Sequence, residues 1–339
     1  MSVENVYKNL TLKKVAEKAG VSIATVSRVL NKKSAVNPKT RVQVEKIIKE
    51  LNYIPNRFAK RLRDKKTSSN LLGVLIPNIQ NPFFVEVLRG IEDVAYENDY
   101  ALIMCNFAED DTKQKLYLDI LNSQSIDGLL AAPTHEKDPK VIKLLNEGLP
   151  IVCVDRGLVD VDVDVVQVDN ITGAYSAIDY LAKKGYKRIA YISGMPTVPS
   201  SQQREKGYRA ALKDNNLPYL SELVRHTVAC HQGGLKMSEE LLSLPNPPDA
   251  LFTGNNVFTL GALETIHKMG LSIPEDIAII GFDDMYWSIS LNPPLSAVRQ
   301  PAYEIGKLAA EQLISRIKNP ERPTTKMILK TELMIRSSC

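Results

Sequence analysis

The chain carries, from residue 11 to residue 30, the segment Thr11-Leu-Lys-Lys-Val-Ala-Glu-Lys-Ala-Gly-Val-Ser-Ile-Ala-Thr-Val-Ser-Arg-Val-Leu30. Two short amphipathic runs meet in this segment, and each begins with a hydroxyl residue, Thr11 or Ser22, that can cap a helix. Gly20 can adopt the positive φ that ends the first helix sharply. The pattern therefore predicts a helix-turn-helix, in which the second helix enters the major groove of duplex DNA.

The residues that follow predict a third helix and then a break. Asn37 suits the N-cap position and Pro38 the first helical position. The apolar face of this helix would come from Val42, Val44, Ile47, Ile48 and Leu51. After a break at residues 53–56, the segment 57–63 is too short and too charged to form a stable helix alone. We expect it to become helical on DNA and residues 64–70 to form a linker.

Charge is divided unevenly along the chain. Residues 1–66 hold 17 basic and 5 acidic side chains, a net charge of +12, whereas the whole chain is only +4. The remainder is therefore acidic, with a net charge of −8. A basic head on an acidic body fits a DNA-binding module joined to a body that phosphates do not attract. The alternative is a solvated basic surface without a partner.

Length and composition predict a multidomain globular protein of the cytoplasm. The 339 residues suffice for two or three domains, and 44% of them are hydrophobic. No signal peptide and no membrane-spanning run is apparent. The four cysteines, Cys105, Cys153, Cys230 and Cys339, are far apart, which favours reduced thiols over disulfides or metal ligation.

From residue 71 onward, short apolar runs alternate with helical stretches. The expected strands are 71–76, 101–105, 128–132 and 151–154, followed by 188–193, 250–253 and 277–281. Such alternation predicts α/β lobes with parallel, doubly wound sheets that bind ligands at the C-terminal ends of their strands. No phosphate-binding glycine loop is present. The expected domains are a helix-turn-helix at 1–55, a hinge helix and linker at 56–70, and a two-lobed body at 71–339.

Several of these stretches together resemble the lactose-repressor (LacI) family of bacterial transcription regulators. The resemblance rests on residues 12–31 and Leu51-Asn-Tyr-Ile-Pro-Asn56 in the head, and on Asn81-Pro-Phe-Phe84, Arg204-Glu-Lys-Gly-Tyr208 and Ile280-Gly-Phe-Asp-Asp284 in the body. It implies a homodimer, a body like that of periplasmic sugar-binding proteins, and an effector in the cleft between its lobes. It also implies that the effector changes the affinity for double-stranded operator DNA through the hinge.

The resemblance assigns DNA-reading roles to the second helix of the head. Ile23 and Ala24 occupy the main reading positions, and as apolar residues they can contact thymine methyl groups. The alternative for Ile23 is a place in the core of the head. Arg28 is the candidate for a bidentate contact to guanine. The expected phosphate or sugar contacts are Thr11, Ser22, Thr25, Ser27 and Asn31.

The hinge segment matches the part of the family that enters the minor groove. Leu62 corresponds to a leucine that is inserted at a central base step and kinks the duplex. Arg57, Lys60 and Arg61 would neutralise nearby phosphates. The alternative for Leu62 is packing against its own body domain. Two hinge helices of a dimer imply one symmetric operator with two half-sites.

The resemblance also indicates the effector site. Arg204 matches an arginine that holds the effector, Asp283 its acidic partner, and Asn255 a polar cleft residue. Such groups can bind vicinal hydroxyls in pairs, so a sugar or sugar derivative is expected, and no other cofactor. The further candidates are Phe83 and Phe84 as a stacking face, with Asn78, Asn81, Asp155 and Arg156 nearby. Either phenylalanine could instead belong to the core or to a dimer interface.

Two departures from the family leave the identity of the effector open. Asn256 stands where many members have aspartate, and residues 229–232 lack an aromatic found in some sugar-responsive members. His231 could be a ligand contact or a surface histidine. The region after Ile328–Ile335 has no leucine-heptad tail, which favours a dimer over a tetramer.

The sequence thus predicts a dimeric transcriptional regulator, most simply a repressor released by a carbohydrate-like effector. One alternative is a regulator of the same family that responds to a corepressor or a partner protein. Another is a transport protein that binds sugars, although the basic head argues against it. An enzyme is disfavoured because no nucleophile motif, catalytic cluster or metal-binding cluster is apparent.

Overall fold

A computed structural model describes residues 12–30, 36–51, 53 and 69–339. Contacts divide the chain into two compact units, residues 1–69 and residues 70–339, here termed the head and the body. The expected hinge at 56–70 lies almost wholly outside the described residues. No helix in the described ranges combines the length and the apolar character that crossing a membrane requires.

The head contains the predicted helices α1 (Leu12–Lys18), α2 (Ile23–Leu30) and α3 (Pro38–Glu50). Gly20, with φ of 62°, ends the first helix, as expected from its sequence position. The side chain of Ser22 accepts a hydrogen bond from the backbone N–H of Thr25 (3.1 Å), and that of Asn37 accepts one from Lys39 (3.0 Å). Two of the three predicted helix starts are therefore capped by the residues that the sequence indicated, while Thr11 lies outside the described residues.

A small apolar core holds the three helices together. Its buried members are Val15, Ala16, Ala19, Val26, Val29, Val44 and Tyr53. The prediction for Val42 was wrong, because its side chain is 66% exposed. Val42 and Val44 are two positions apart and lie on nearly opposite sides of a helix, so only one can face the core.

The first lobe of the body is built around a six-stranded parallel sheet in the order β11-β5-β4-β3-β1-β2. Its strands are β1 (Leu71–Ile76), β2 (Ala101–Asn106), β3 (Gly128–Ala131), β4 (Ile151–Val154), β5 (Asp164–Val168) and β11 (Lys326–Leu329). Its helices are α4 (Pro82–Glu97), α5 (Asp111–Ser123), α6 (Pro139–Asn146) and α11 (Ala302–Lys318). Apolar clusters cover both faces of this sheet, as its continuous apolar strands predict.

The second lobe repeats this architecture with the strand order β12-β10-β9-β8-β6-β7. Its strands are β6 (Ile189–Ser193), β7 (Val224–His226), β8 (Ala250–Thr253), β9 (Ala278–Phe282), β10 (Ser296–Arg299) and β12 (Glu332–Met334). Its helices are α7 (Asn170–Lys183), α8 (Pro199–Asp214), α9 (His231–Leu242) and α10 (Asn256–Lys268). All of these strands are parallel except β12, which runs antiparallel to β10.

The lobes are not two consecutive segments, as the order of the apolar runs suggested. The chain crosses from the first lobe to the second before α7, returns before α11, and crosses again between β11 and β12. The first and third crossings are joined, because the Asp169 N–H donates to the Leu329 carbonyl (2.9 Å). The sequence pattern missed β5, β7, β10, α11, β11 and β12. Each missed strand is short and includes a polar or charged residue, so it lacks the continuous apolar run that marks β3 and β4.

Helices α4 and α11 are in unusually close contact within the first lobe. A Cβ atom placed on Gly306 would overlap the carbonyl oxygen of Val87, and one placed on Gly90 would overlap that of Tyr303. Glycine at both positions allows the two backbones to touch. This contact fixes the returning helix α11 to α4 of the first lobe.

Candidate functional site

The outer face of α2 presents the predicted reading residues. Ile23 is 42% exposed, Ala24 and Arg28 are exposed, and Val26 and Val29 of the same helix face the core. Ile23 therefore does not belong to the core of the head. Thr25 and Ser27 are partly buried, and the Ser22 hydroxyl both caps α2 and lies 2.9 Å from the Thr25 hydroxyl. This face can offer apolar contacts at the helix tip and one cationic donor.

Six predicted DNA contacts cannot be placed in the same way. They are Thr11, Asn31, Arg57, Lys60, Arg61 and Leu62, and all lie outside the described residues. Their roles remain expectations from the sequence.

A polar cleft lies between the two lobes of the body. Its polar residues lie within three positions of a strand end: Asn78 after β1, Glu109 after β2, Asp155 after β4, Asn255 after β8 and Asp283 after β9. The C-terminal ends of both sheets therefore face one space, the usual ligand site of such sheets. The cavity that it encloses has a volume of about 50 Å³.

All eight residues predicted for the effector site line this cleft. They are Asn78, Phe83, Phe84, Asp155, Arg156, Arg204, Asn255 and Asp283. Asn81 also lines it, although its side chain caps α4 by accepting the Phe83 N–H (2.9 Å). Residues more than 200 positions apart are thus brought together by the two sheets.

Arg204 is buried at the second-lobe side of the cleft. Its Nε donates to Asn170 Oδ1 (2.8 Å), its Nη1 donates to the Gly254 carbonyl, and its guanidinium lies 3.8 Å above the centre of the Phe282 ring. These three contacts fix the plane of the guanidinium. An arginine whose side chain is already fixed can bind an oxygen-rich ligand with little loss of side-chain entropy.

Asp283 is buried beside it in a left-handed backbone conformation, with φ of 79°. Its Oδ1 accepts a hydrogen bond from Gln300 Nε2 (2.5 Å), and its Oδ2 is 3.4 Å from the Asn256 backbone nitrogen. Burial raises the pKa of the Asp283 carboxyl above its ordinary value, while the charge of Arg204 and the Gln300 hydrogen bond limit the rise. The carboxyl is therefore an acceptor whose charge is only partly compensated.

The first lobe contributes a cluster of three charged side chains. Arg156 Nε lies 3.2 Å from Asp155 Oδ2, and Arg156 Nη2 lies 3.2 Å from Glu109 Oε1. Burial alone would lower the pKa of Arg156, but the two carboxylates outweigh that effect and raise it. Arg156 Nη1 is buried and has no hydrogen-bond partner among the described residues.

Other predicted site residues use part of their polar groups within the protein. Asn78 Nδ2 donates to the Ala229 carbonyl of the second lobe (2.8 Å), and Asn78 Oδ1 accepts from Gln80 N–H (2.9 Å). Asn255 Oδ1 caps α10 by accepting the Phe258 N–H (2.9 Å). Asn78 is thus a bridge between lobes, and Asn255 a cap that also borders the cleft.

Phe83 and Phe84 combine two of the roles left open by the sequence. They are 2% and 4% exposed and belong to the core of the first lobe, yet both line the cleft. Their rings meet edge to face with centroids 5.0 Å apart. They form an apolar wall of the cleft that is held rigid by the core behind it.

Sequence reasoning missed several residues of this site, among them Glu109, Gln300, Ser200 and Ser201. Glu109 closely follows the predicted strand at 101–105, so the signal used for Asp155 was available for it, whereas Gln300 follows β10, which the sequence pattern missed. His231 is not part of the cleft lining, and it pairs with Glu264 at 3.0 Å on the surface. Asn256, which stands where many family members have aspartate, is buried and does not line the cleft. The oxygen and nitrogen of its side-chain amide have no hydrogen-bond partner among the described residues.

Comparison with known proteins places these features in a family. Residues 11–56 match the model of bacterial regulatory proteins of the lacI family, and residues 178–339 match a periplasmic binding protein-like domain. The ribose operon repressor of Escherichia coli (strain K12) is 37% identical over 331 residues, which cover 97% of this chain and 99% of that protein.

Two solved structures extend the similarity to three dimensions. The lac repressor dimer bound to operator and the anti-inducer ONPF has a TM-score of 0.84 and 26% identity, with 98% of this chain and 99% of that chain covered. A complex of the transcriptional regulator CelR with cellobiose has a TM-score of 0.74 and 30% identity, with 98% and 100% covered. With its helix-turn-helix head and its two-lobed body, the chain belongs to the LacI family of bacterial transcriptional regulators.

Proposed function

We propose that this protein is a dimeric transcriptional repressor whose operator affinity falls when a pentose-like sugar binds in the cleft. The observation that carries the proposal is the convergence of all eight predicted effector residues on one cleft between the lobes. A sugar effector is supported by two similar proteins, of which one is named a ribose operon repressor and the other is a regulator in complex with cellobiose. Because the target is chromosomal DNA, the proposal also places the protein in the cytoplasm.

The chemistry of the cleft suits a neutral ligand with several hydroxyl groups. Arg156 and Arg204 are fixed donors, while Asp283 is a buried acceptor, so hydroxyls can donate and accept in turn. The wall formed by Phe83 and Phe84 can contact the apolar face of a sugar ring. Acidic groups outnumber basic ones at the cleft, which disfavours a strongly anionic effector.

The proposed mechanism is a shift between two populations of the dimer. The effector binds groups of both lobes, so it stabilises the closed body more than other arrangements. We propose that closure weakens operator binding through the hinge segment 56–70, with a coupling free energy equal to the effector's differential affinity for the two states.

To test this proposal, an operator is first selected from a random DNA pool. Its affinity for the protein is then measured during titration with D-ribose, other pentoses, cellobiose and phosphorylated sugars. We expect D-ribose or a close relative to lower operator affinity at least tenfold. The variant Arg204→Gln should keep basal operator binding and lose the response. A rise in affinity would support a corepressor-controlled regulator instead, and indifference to every compound would reject a sugar effector.

The DNA side is tested by replacing Arg28. If Arg28 binds a guanine, Arg28→Ala should relax the preference at one base position and cost about 1–3 kcal/mol on the selected operator. Lys49→Ala, an exposed change on α3, is the matched control. An equal loss of affinity on all DNA sequences would reduce Arg28 to a phosphate contact.

A further inference from the structure

Arg156 is held from two sides by carboxylates of different origin. Asp155 precedes it in the chain and binds its Nε, whereas Glu109 comes from the loop after β2 and binds its Nη2, both at 3.2 Å. Each side chain is largely buried, with exposures of 5% for Arg156 and Asp155 and 16% for Glu109. Charge-assisted hydrogen bonds at two separate nitrogens fix the orientation of the guanidinium.

The two carboxylates leave one donor group of Arg156 unused. Its Nη1 is buried without a hydrogen-bond partner among the described residues, although Arg156 lines the cleft. An unpaired buried donor is costly, and such groups persist where a ligand or water completes them. A bound effector is a partner that this position can receive.

The backbone holds Glu109 in a conformation that only a few non-glycine residues adopt. Ala108 and Glu109 have φ of 54° and 55°, and hydrogen bonds hold the residue on either side of this pair. Phe107 is fully buried and its N–H donates to the Ile76 carbonyl, while the Asp110 carboxylate caps α5 by accepting from Thr112 and Lys113. Strained backbone of this kind is retained where it positions a functional group.

We propose that Glu109 is a positioning residue for effector recognition, which orients Arg156 so that Nη1 donates to one hydroxyl of the effector. The inference rests on the proposed function of the cleft and adds a residue to it. The cluster of Glu109, Asp155 and Arg156 has a formal net charge of −1. The effector atom that accepts the hydrogen bond from Arg156 Nη1 is therefore a neutral oxygen. Glu109 thereby selects for one hydroxyl and against an acidic substituent at this place.

The first experiment measures binding of D-ribose and of its 2-deoxy, 3-deoxy and 5-deoxy analogues to the full-length protein by calorimetry. The wild type should bind one analogue at least tenfold more weakly than D-ribose. In Glu109→Ala, D-ribose affinity should fall about tenfold and the discrimination against that analogue should vanish, while the other analogues keep their order. Glu109→Gln, which keeps an acceptor oxygen, should restore most of the discrimination.

The second experiment examines Arg156 without any ligand. Side-chain nitrogen NMR should show restricted rotation of the Arg156 guanidinium in the wild type and in Asp110→Asn, a control in the same turn. The rotation should become fast in Glu109→Ala. If D-ribose fails to bind the wild type, the choice of effector is wrong, but the NMR result still decides the role of Glu109. Unchanged rotation, or unchanged analogue discrimination in Glu109→Ala, would overturn the inference.

Discussion

At the scale of single residues, two adjacent aspartates have opposite effects on stability. Asp283 is buried with a raised pKa, because its charge is only partly compensated. Asp284 accepts hydrogen bonds from Arg299 and Arg336, and these outweigh burial and hold its pKa below the ordinary value. The Asp283 carboxylate therefore lines the cleft and lowers stability, whereas the Asp284 carboxylate stabilises the second lobe.

Replacing these residues one at a time should separate the two roles. Asp283→Asn removes a poorly compensated charge, keeps the acceptor for Gln300 and tolerates the positive φ, so we expect stability to rise at neutral pH. Effector binding should fall at the same time. Asp284→Asn removes the buried negative charge that binds Arg299 and Arg336 and should cost about 3 kcal/mol. Thermal unfolding of the three proteins measures both effects.

The pH dependence of these differences follows from the direction of each pKa shift. The ionised Asp283 carboxylate costs stability: this cost is absent below the ordinary pKa of 3.8 and develops as pH rises through the raised pKa. The contribution of Asp284 is present above 3.8 and is lost as pH falls through the lowered pKa. Both differences from wild type should therefore shrink in acid. An Asp283→Asn protein that is less stable than wild type at neutral pH would contradict this assignment.

At the scale of elements, the contact between α4 and α11 depends on glycine. In an ordinary helix interior, glycine is less favourable than alanine by about 1 kcal/mol. The sign should be reversed at Gly306, because an added Cβ would overlap the backbone oxygen of Val87, which cannot rotate away. Helix propensity alone would therefore give the wrong sign for the effect of Gly306→Ala on stability.

We expect Gly306→Ala to lower the stability of the body by about 3 kcal/mol through overpacking. The matched control is Lys307→Ala on the same helix, which should change stability by less than about 0.5 kcal/mol. Denaturant unfolding of both variants makes the comparison. Similar midpoints for Gly306→Ala and wild type would mean that the two helices separate easily.

At the scale of the whole molecule, a side-chain hydrogen bond crosses between the two lobes of the body. Asn78 of the first lobe donates to the Ala229 carbonyl of the second. The lobes are also linked by three chain crossings, two of which are joined between Asp169 and Leu329. Part of the closed arrangement is therefore stabilised by the protein itself, before any effector binds.

The variant Asn78→Asp tests this bridge. The carboxylate still accepts from Gln80 N–H but cannot donate to Ala229, so the loop is preserved and the bridge is lost. We expect a larger radius of gyration by X-ray scattering and a three- to tenfold loss of effector affinity, in line with about 1 kcal/mol for one hydrogen bond. Asn98→Asp makes the same change at the end of α4, at a residue that does not line the cleft, and should alter neither quantity. Unchanged scattering and affinity in Asn78→Asp would show that the bridge does not stabilise closure.

Local features of the sequence determined the head and much of each lobe. Some features depend only on residues that are neighbours in the chain: the caps at Ser22 and Asn37, the turn at Gly20 and the longer apolar strands. Their patterns could therefore be recognised in the sequence alone. The same holds for the placement of Asp155 and Asp283 directly after strands. Resemblance to family motifs then indicated which polar residues meet in the cleft.

Only the tertiary structure decided which lobe each late segment joins and which polar groups are already used. Helix α11 returns to the first lobe because its apolar face completes that core, a choice that its own pattern does not encode. The bridge of Asn78 and the hold of Glu109 on Arg156 join residues 151 and 47 positions apart. Such pairings depend on the packing of whole sheets, and no local pattern of the chain specifies them.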